Sequence, residues 1–221
     1  MDIRRLIYIF DPFCSWCYAM SPDIMRTYDA FHDQIEFGFI TGGMMIGNQV
    51  RTIGDKKEYL ITVKKNIEAE SSVRFGNKIM NLIEDGSYVV NSHPPSVAIH
   101  AFHAFKPGHS FHFIHEVQAL FYEQGKDIKE PDNYKEIVIK YDIDFETYKE
   151  ALFGKNAQEN ATIDYQKARK FGITSFPTLL YQHNDQYGIV SAGYRDYNFL
   201  EKITTHLIKN PADIFEELPN K

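Results

Sequence analysis

The sequence predicts an α/β protein in which a β-α-β start and an α-β-β-α end flank a long helical block. Three observations carry this reading. An apolar run at residues 3–10 is followed by helical spacing and then by a second strand-like run at 35–40. Residues 55–152 show only helical spacing, and strand signals return after residue 157. The division expected from this order is a discontinuous α/β domain, residues 1–50 and 157–210, with a helical domain of residues 55–152 inserted in it.

Leu6-Ile7-Tyr8-Ile9-Phe10 reads as a buried strand, broken by Asp11-Pro12. Trp16, Met20, Ile24, Tyr28 and Phe31 recur at spacings of three and four, which suits a helix that Pro22 should kink. The second strand is closed by Gly42-Gly43. In the block, Leu60, Val63 and Ile67 mark one helix and Phe75, Ile79 and Ile83 a second. A third should start just after Pro94-Pro95 and stop at Pro107-Gly108; a fourth should end near Gly125, and shorter ones follow at 134–139 and 145–152. No strand hairpin is expected there. A helix at 157–171, ended by Gly172, leads to strands at 178–181 and 187–192 and a last helix at 199–208.

The chain has 221 residues, 43% hydrophobic and 24% charged, with a formal net charge of −6. That balance suits a globular protein and argues against nucleic acid as a partner, because a nucleic-acid binder needs a basic face. No apolar stretch is long enough for a membrane span, and the N-terminus lacks the pattern of a secretory leader. The expected location is the cytoplasm, with no membrane partner.

Only two cysteines are present, in Cys14-Ser15-Trp16-Cys17, between the first strand and the first helix. Such a pair is either a redox dithiol or half of a metal site. The metal reading needs two further ligands. Six of the nine histidines lie between positions 93 and 115, but their spacing is not that of a finger, and no acid stands as in His-Glu-x-x-His. No metal is therefore expected. A thiol attacks as its thiolate, and a helix N-terminus favours an anion. Cys14 falls at that place and Cys17 one turn later. Cys14 is thus the expected nucleophile, and Cys17 the thiol that resolves the mixed disulfide.

Asp11-Pro12-Phe13-Cys14-Ser15-Trp16-Cys17-Tyr18, Gly42-Gly43 and Phe176-Pro177-Thr178-Leu179, in this order of elements, resemble the DsbA family of the thioredoxin superfamily. The likeness is greatest to its FrnE-like members, the predicted cytoplasmic protein-disulfide isomerases, and it covers nearly the whole chain. It implies a thioredoxin fold with an inserted helical domain, acting as a thiol-disulfide oxidoreductase or isomerase. It also implies a cis bond before Pro177, facing the cysteines, with the Phe176 backbone offered to an extended substrate. Phe176, Trp16 and Phe13 are the expected substrate contacts. The implied partners are a disulfide-containing protein or small molecule and a cellular reductant. No bound cofactor is expected, only glutathione or another thiol as redox partner. In one respect the chain departs from the family. Six positions before the first cysteine, where the family carries a buried acid that assists proton transfer, stands Tyr8. Asp11 is the nearest acid, either as a substitute or as part of the Asp-Pro turn.

Two other classes share this architecture. Glutathione-dependent isomerases and transferases of the kappa and hydroxychromene-carboxylate type usually carry Ser at the position of Cys14 and do not need Cys17. A DsbA-like protease adaptor would keep the pair as a sensor. The presence of both cysteines favours exchange chemistry over either.

Overall fold

The apolar N-terminal run forms β1 (Arg4–Phe10), buried from Leu6 onward. The computed structural model describes residues 2–213. α1 (Ser15–Phe31) and β2 (Glu36–Thr41) complete the β-α-β start, and β1 and β2 run parallel, as a crossover helix requires. The end is built from α8 (Lys155–Lys170), β5 (Thr178–His183), β6 (Gln186–Ala192) and α9 (Tyr197–Lys209), α2 to α7 lying in the block between. The sheet order is β2-β1-β5-β6, with β5 antiparallel to both β1 and β6. This is the thioredoxin arrangement that the resemblance implied.

Central β1 explains its own sequence. Leu6, Tyr8 and Phe10 face the larger core, shared with α1, α9 and the helical block; Ile7 and Ile9 face a smaller core with Ile40, Ala168, Ile173 and Leu180. A strand covered on both faces has no polar positions to alternate with, hence the unbroken apolar run. α1 continues through Pro22, which cannot donate to the Tyr18 carbonyl; the Ser21 hydroxyl donates to it instead, at 2.9 Å.

The helical block contains α2 (Lys57–Glu70), α3 (Asn77–Asp85), α4 (His93–Phe105), α5 (Ser110–Tyr122), α6 (Lys135–Lys140) and α7 (Phe145–Phe153). Two expectations need correction. α4 starts at His93 and takes Pro94 and Pro95 into its first turn, where backbone N–H groups have no partner within the helix and proline costs little. The block also holds a two-stranded ladder, β3 (Arg51–Thr52) with β4 (Val89–Val90), joining segments separated by α2 and α3. Two-residue strands so far apart leave no periodic signal.

α8 packs against β2 and α4, and one buried carboxylate pins the three together. Asp164 accepts from the Thr41 N–H at 2.9 Å and from the Thr41 hydroxyl at 3.4 Å, and bonds His100 Nε2 at 2.9 Å. Thr41 ends β2 immediately before Gly42. Removing one partner of a buried pair leaves the other without compensation. Asp164→Ala should therefore lower the unfolding free energy by about 3 kcal/mol, read as a lower urea midpoint with an unchanged slope.

Candidate active site

β1 delivers the chain to Asp11, and the Cys14 N–H closes the following turn on the Asp11 carbonyl at 3.0 Å. The Asp11 side chain is fully buried. Its carboxylate accepts from the Phe13 N–H at 2.9 Å, the Met44 N–H at 2.7 Å and the Ser92 hydroxyl at 2.9 Å. Burial pushes the Asp11 carboxyl up, and the three donors partly reverse that. The turn that carries Cys14 is thus fastened to the segment after β2 and to the start of α4.

Cys14 is the N-cap of α1, with extended backbone, and its Sγ accepts from the Cys17 N–H at 3.3 Å. A sulfur here takes the place usually given to a Ser or Asp oxygen. The same N–H and the open helix end direct positive partial charge at this sulfur. On its other side Cys14 Sγ donates to the Phe176 carbonyl at 3.4 Å. Cys14 keeps 7% exposure and Cys17 none. Burial, first, and then the hydrogen bond and charge of Cys14 push the Cys17 thiol well up; the Asp11 N–H acts against this and the Asp11 charge adds to it.

Tyr8 lies at the place of the missing acid. Its hydroxyl donates to the Cys17 carbonyl at 3.1 Å, and burial followed by the charges of Cys17 and Cys14 pushes the phenol well up. From α5, the Tyr122 hydroxyl donates to the Phe13 carbonyl at 2.7 Å and the Gln118 amide to the Asp11 carbonyl at 3.3 Å. These two residues and Ser92 have no counterpart among the sequence candidates. Helical periodicity marked their helices, but not which buried polar side chain meets the cysteine turn.

The Phe176-Pro177 bond is cis. A Cβ added at Gly42 would lie 2.1 Å from the Phe176 ring, so the first glycine of the pair makes room for that ring. Gly43, at φ +66°, sits against Tyr165. Trp16 is half-buried, its ring 5.8 Å from that of Tyr194. Phe13 is only 6% exposed and packs edge-on against Phe121 with centroids 4.9 Å apart. Its side chain belongs to an aromatic cluster that also walls a cavity beside Cys14. That cavity, of about 380 Å³, is lined by exposed Tyr59 of α2 and by buried Ile79, Ile83 and Phe121. A larger cavity, of about 530 Å³, lies over β2 and touches neither cysteine. His93 bonds Gln158 at 2.8 Å and Tyr165 at 3.3 Å, facing α8 and not the cavity beside Cys14.

Two outcomes are expected from this geometry. Iodoacetamide should label Cys14 near neutral pH and spare Cys17, whose raised thiol stays protonated until the solution is alkaline or the protein unfolds. Peptide mass spectrometry reads the difference, and equal neutral labelling would contradict it. Gly42→Ala should push the Phe176 ring aside and slow disulfide exchange by roughly tenfold or more, while Cys14 alkylation is retained.

A family model described as thioredoxin matches residues 8–202. Among solved structures, a "putative protein disulfide isomerase" from Nitrosomonas europaea superposes with a TM-score of 0.78 at 19% identity, covering 94% of this chain and 98% of that one. The cytosolic disulfide reductase DsbM from Pseudomonas aeruginosa gives a TM-score of 0.74 at 21% identity, covering 92% and 98%; it has also been solved with glutathione. Reduced DsbA1 from Neisseria meningitidis gives 0.56 at 11% identity, covering 94% and 85%. No match was found among curated proteins. With the family matched over most of its length and DsbA-type proteins among its structural neighbours, the chain belongs to the thioredoxin family.

Proposed function

We propose that the protein is a thiol-disulfide oxidoreductase that works by dithiol exchange through Cys14 and Cys17. The observation that carries this reading is the asymmetry of the two thiols within one helical turn. Cys14 caps the helix beside the Phe176 carbonyl and keeps a 7% exposure, whereas Cys17 has none. The Cys14 thiolate attacks one sulfur of a substrate disulfide. That S–S bond breaks, the first substrate thiolate leaves and takes a proton, and a mixed disulfide joins Cys14 to the other half. Cys17 then gives its proton to the buried Asp11 carboxylate and attacks the Cys14 sulfur. The second half leaves as a thiolate that takes a proton from solvent, Asp11 returns its proton to solvent, and a Cys14–Cys17 disulfide remains. Two equivalents of glutathione or another thiol return the pair to the dithiol.

In this scheme Phe176 and Pro177 align the substrate backbone, Trp16 meets it beside the cysteines, and Phe13 shapes the cavity wall. Glutathione as reductant and a cytoplasmic setting are favoured by the structural likeness to DsbM, described as a cytosolic disulfide reductase and solved with glutathione. Two cysteines used together, with none left for structural bridges, agree with that setting. Among the described residues no helix is long and apolar enough to cross a membrane. The substrate is a disulfide in a protein or a small molecule.

Cys14→Ser should abolish turnover, and Cys17→Ser should stop after one half-reaction, with a glutathionyl adduct on Cys14 visible by mass. Full turnover by Cys17→Ser with glutathione would instead indicate a glutathione-dependent isomerase or transferase. Asp11→Asn should slow the release step by about 100-fold and move its pH dependence to the alkaline side, because solvent base must then take the Cys17 proton. The rate of the first attack by Cys14 should change little. An equal loss in both steps would mean that Asp11 only braces the turn.

A further inference from the structure

The cavity beside Cys14 has a chemical character that the exchange scheme does not use. Its inner walls are apolar, formed by Met44, Met45, Leu60, Ile79, Ile83 and Phe121, and Cys14 stands at one side. No carboxylate lines it, in a chain that carries a net charge of −6. Two cations do, Arg51 and Lys56. Neither pairs with a carboxylate among the described residues, whereas the adjacent Lys57 is paired with Glu84. Arg51 is held in place: it lies on β3, paired with Val90, and its guanidinium donates to the Gln49 carbonyl at 3.1 Å and to the Gln49 side chain at 2.7 Å. Those contacts use Nε and one terminal nitrogen, leaving the other terminal nitrogen to meet an anion.

We propose that this cavity selects the substrate, and that the substrate is a low-molecular-weight disulfide whose captured half has an apolar body ending in a carboxylate. The proposal rests on the reading of Cys14 as the attacking thiol. A volume of about 380 Å³ lies at the small end of the range for small-molecule sites. Ile79, Ile83 and Phe121 of its lining are at most 2% exposed, so an apolar body seated there is held against buried walls. Cys14 fixes the sulfur of the captured half, the apolar walls take its body, and Arg51 with Lys56 takes its charge. When Cys14 attacks, the half seated in the cavity becomes bonded to Cys14, and the other half departs as a thiolate that takes a proton from solvent. Glutathione, polar along its length, suits the later reducing steps better than this cavity.

The test compares three disulfides reacting with the reduced protein in stopped flow: dithiobis(nitrobenzoate), aromatic and anionic; dithiodipyridine, aromatic and neutral; and oxidised glutathione, anionic and polar. Rates are read for the wild type, for R51Q/K56Q and for L60W, which adds bulk to the cavity's apolar wall. The expected result is saturation by dithiobis(nitrobenzoate), with half-saturation raised about tenfold in R51Q/K56Q, the worth of one charge-assisted contact. Dithiodipyridine should lose little in R51Q/K56Q and much in L60W, and oxidised glutathione should be insensitive to L60W. Equal losses for the neutral and anionic aromatic probes in R51Q/K56Q would overturn the proposal, as would an L60W variant that reacts like wild type with all three. Failure of every disulfide to react with the wild-type protein would overturn the exchange reading itself, a result distinct from either.

Discussion

The active site depends on one buried carboxylate. Asp11 stands where β1 stops and the cysteine turn begins, and its two oxygens hold three separate parts of the chain: the turn through the Phe13 N–H, the segment after β2 through the Met44 N–H, and the start of α4 through the Ser92 hydroxyl. A charge without solvent access is costly unless donors replace its water. Here they replace much of it, and the balance still leaves the carboxyl raised. That residual cost is informative. A group that only closed a turn could be a neutral Asn or Ser. In the proposed exchange cycle this carboxylate also accepts a proton.

The same contacts make the helical block part of the site. Ser92 reaches Asp11 from the start of α4, and Gln118 and Tyr122 reach the turn from α5. α2 supplies Tyr59 and Leu60 to the cavity lining, α3 supplies Ile79 and Ile83, and β3 supplies Arg51. The α/β part contributes Cys14 at the start of α1 and, just before β5, the Phe176 carbonyl and the cis Pro177. In the proposed exchange cycle the thiols therefore come from the α/β part, while the block supplies about half of the lining of the cavity beside them. Variation in the block would change what is bound without touching the thiols.

Much of this was legible in the sequence because it rests on local rules. The unbroken apolar run of β1, the helix start at Cys14 and the glycine pair after β2 each follow from spacing or backbone freedom within a few residues. Phe176-Pro177 was legible through the family resemblance. The rest depends on contacts between distant segments. Tyr122 and Phe13 are 109 positions apart and Thr41 and Asp164 are 123, and nothing in an amphipathic pattern marks which buried polar group will meet which backbone. The β3–β4 ladder is too short to show a period of two. Phe13 shows the limit of motif reasoning. Next to Cys14 in sequence and buried to about the same degree, it packs against Phe121 and lines the same cavity, a placement the motif alone does not give.

Tyr8 completes the argument about the two thiols. The position where the family keeps an acid is filled by a phenol that donates to the Cys17 carbonyl, not by a group that can take a proton near neutral pH. Burial, Cys14 and the Asp11 charge all keep Cys17 protonated at rest. In the exchange cycle that hold weakens at one step only. Once Cys14 is joined to a substrate it carries no charge, so its opposition to a second thiolate is removed while the helix end remains. In the proposed cycle Cys17 is then easier to ionise just when its attack is needed, and Asp11 is the carboxylate whose charge acts on it. A site with Tyr8 at the usual acid position can therefore still time its two thiols, through the loss of charge at Cys14.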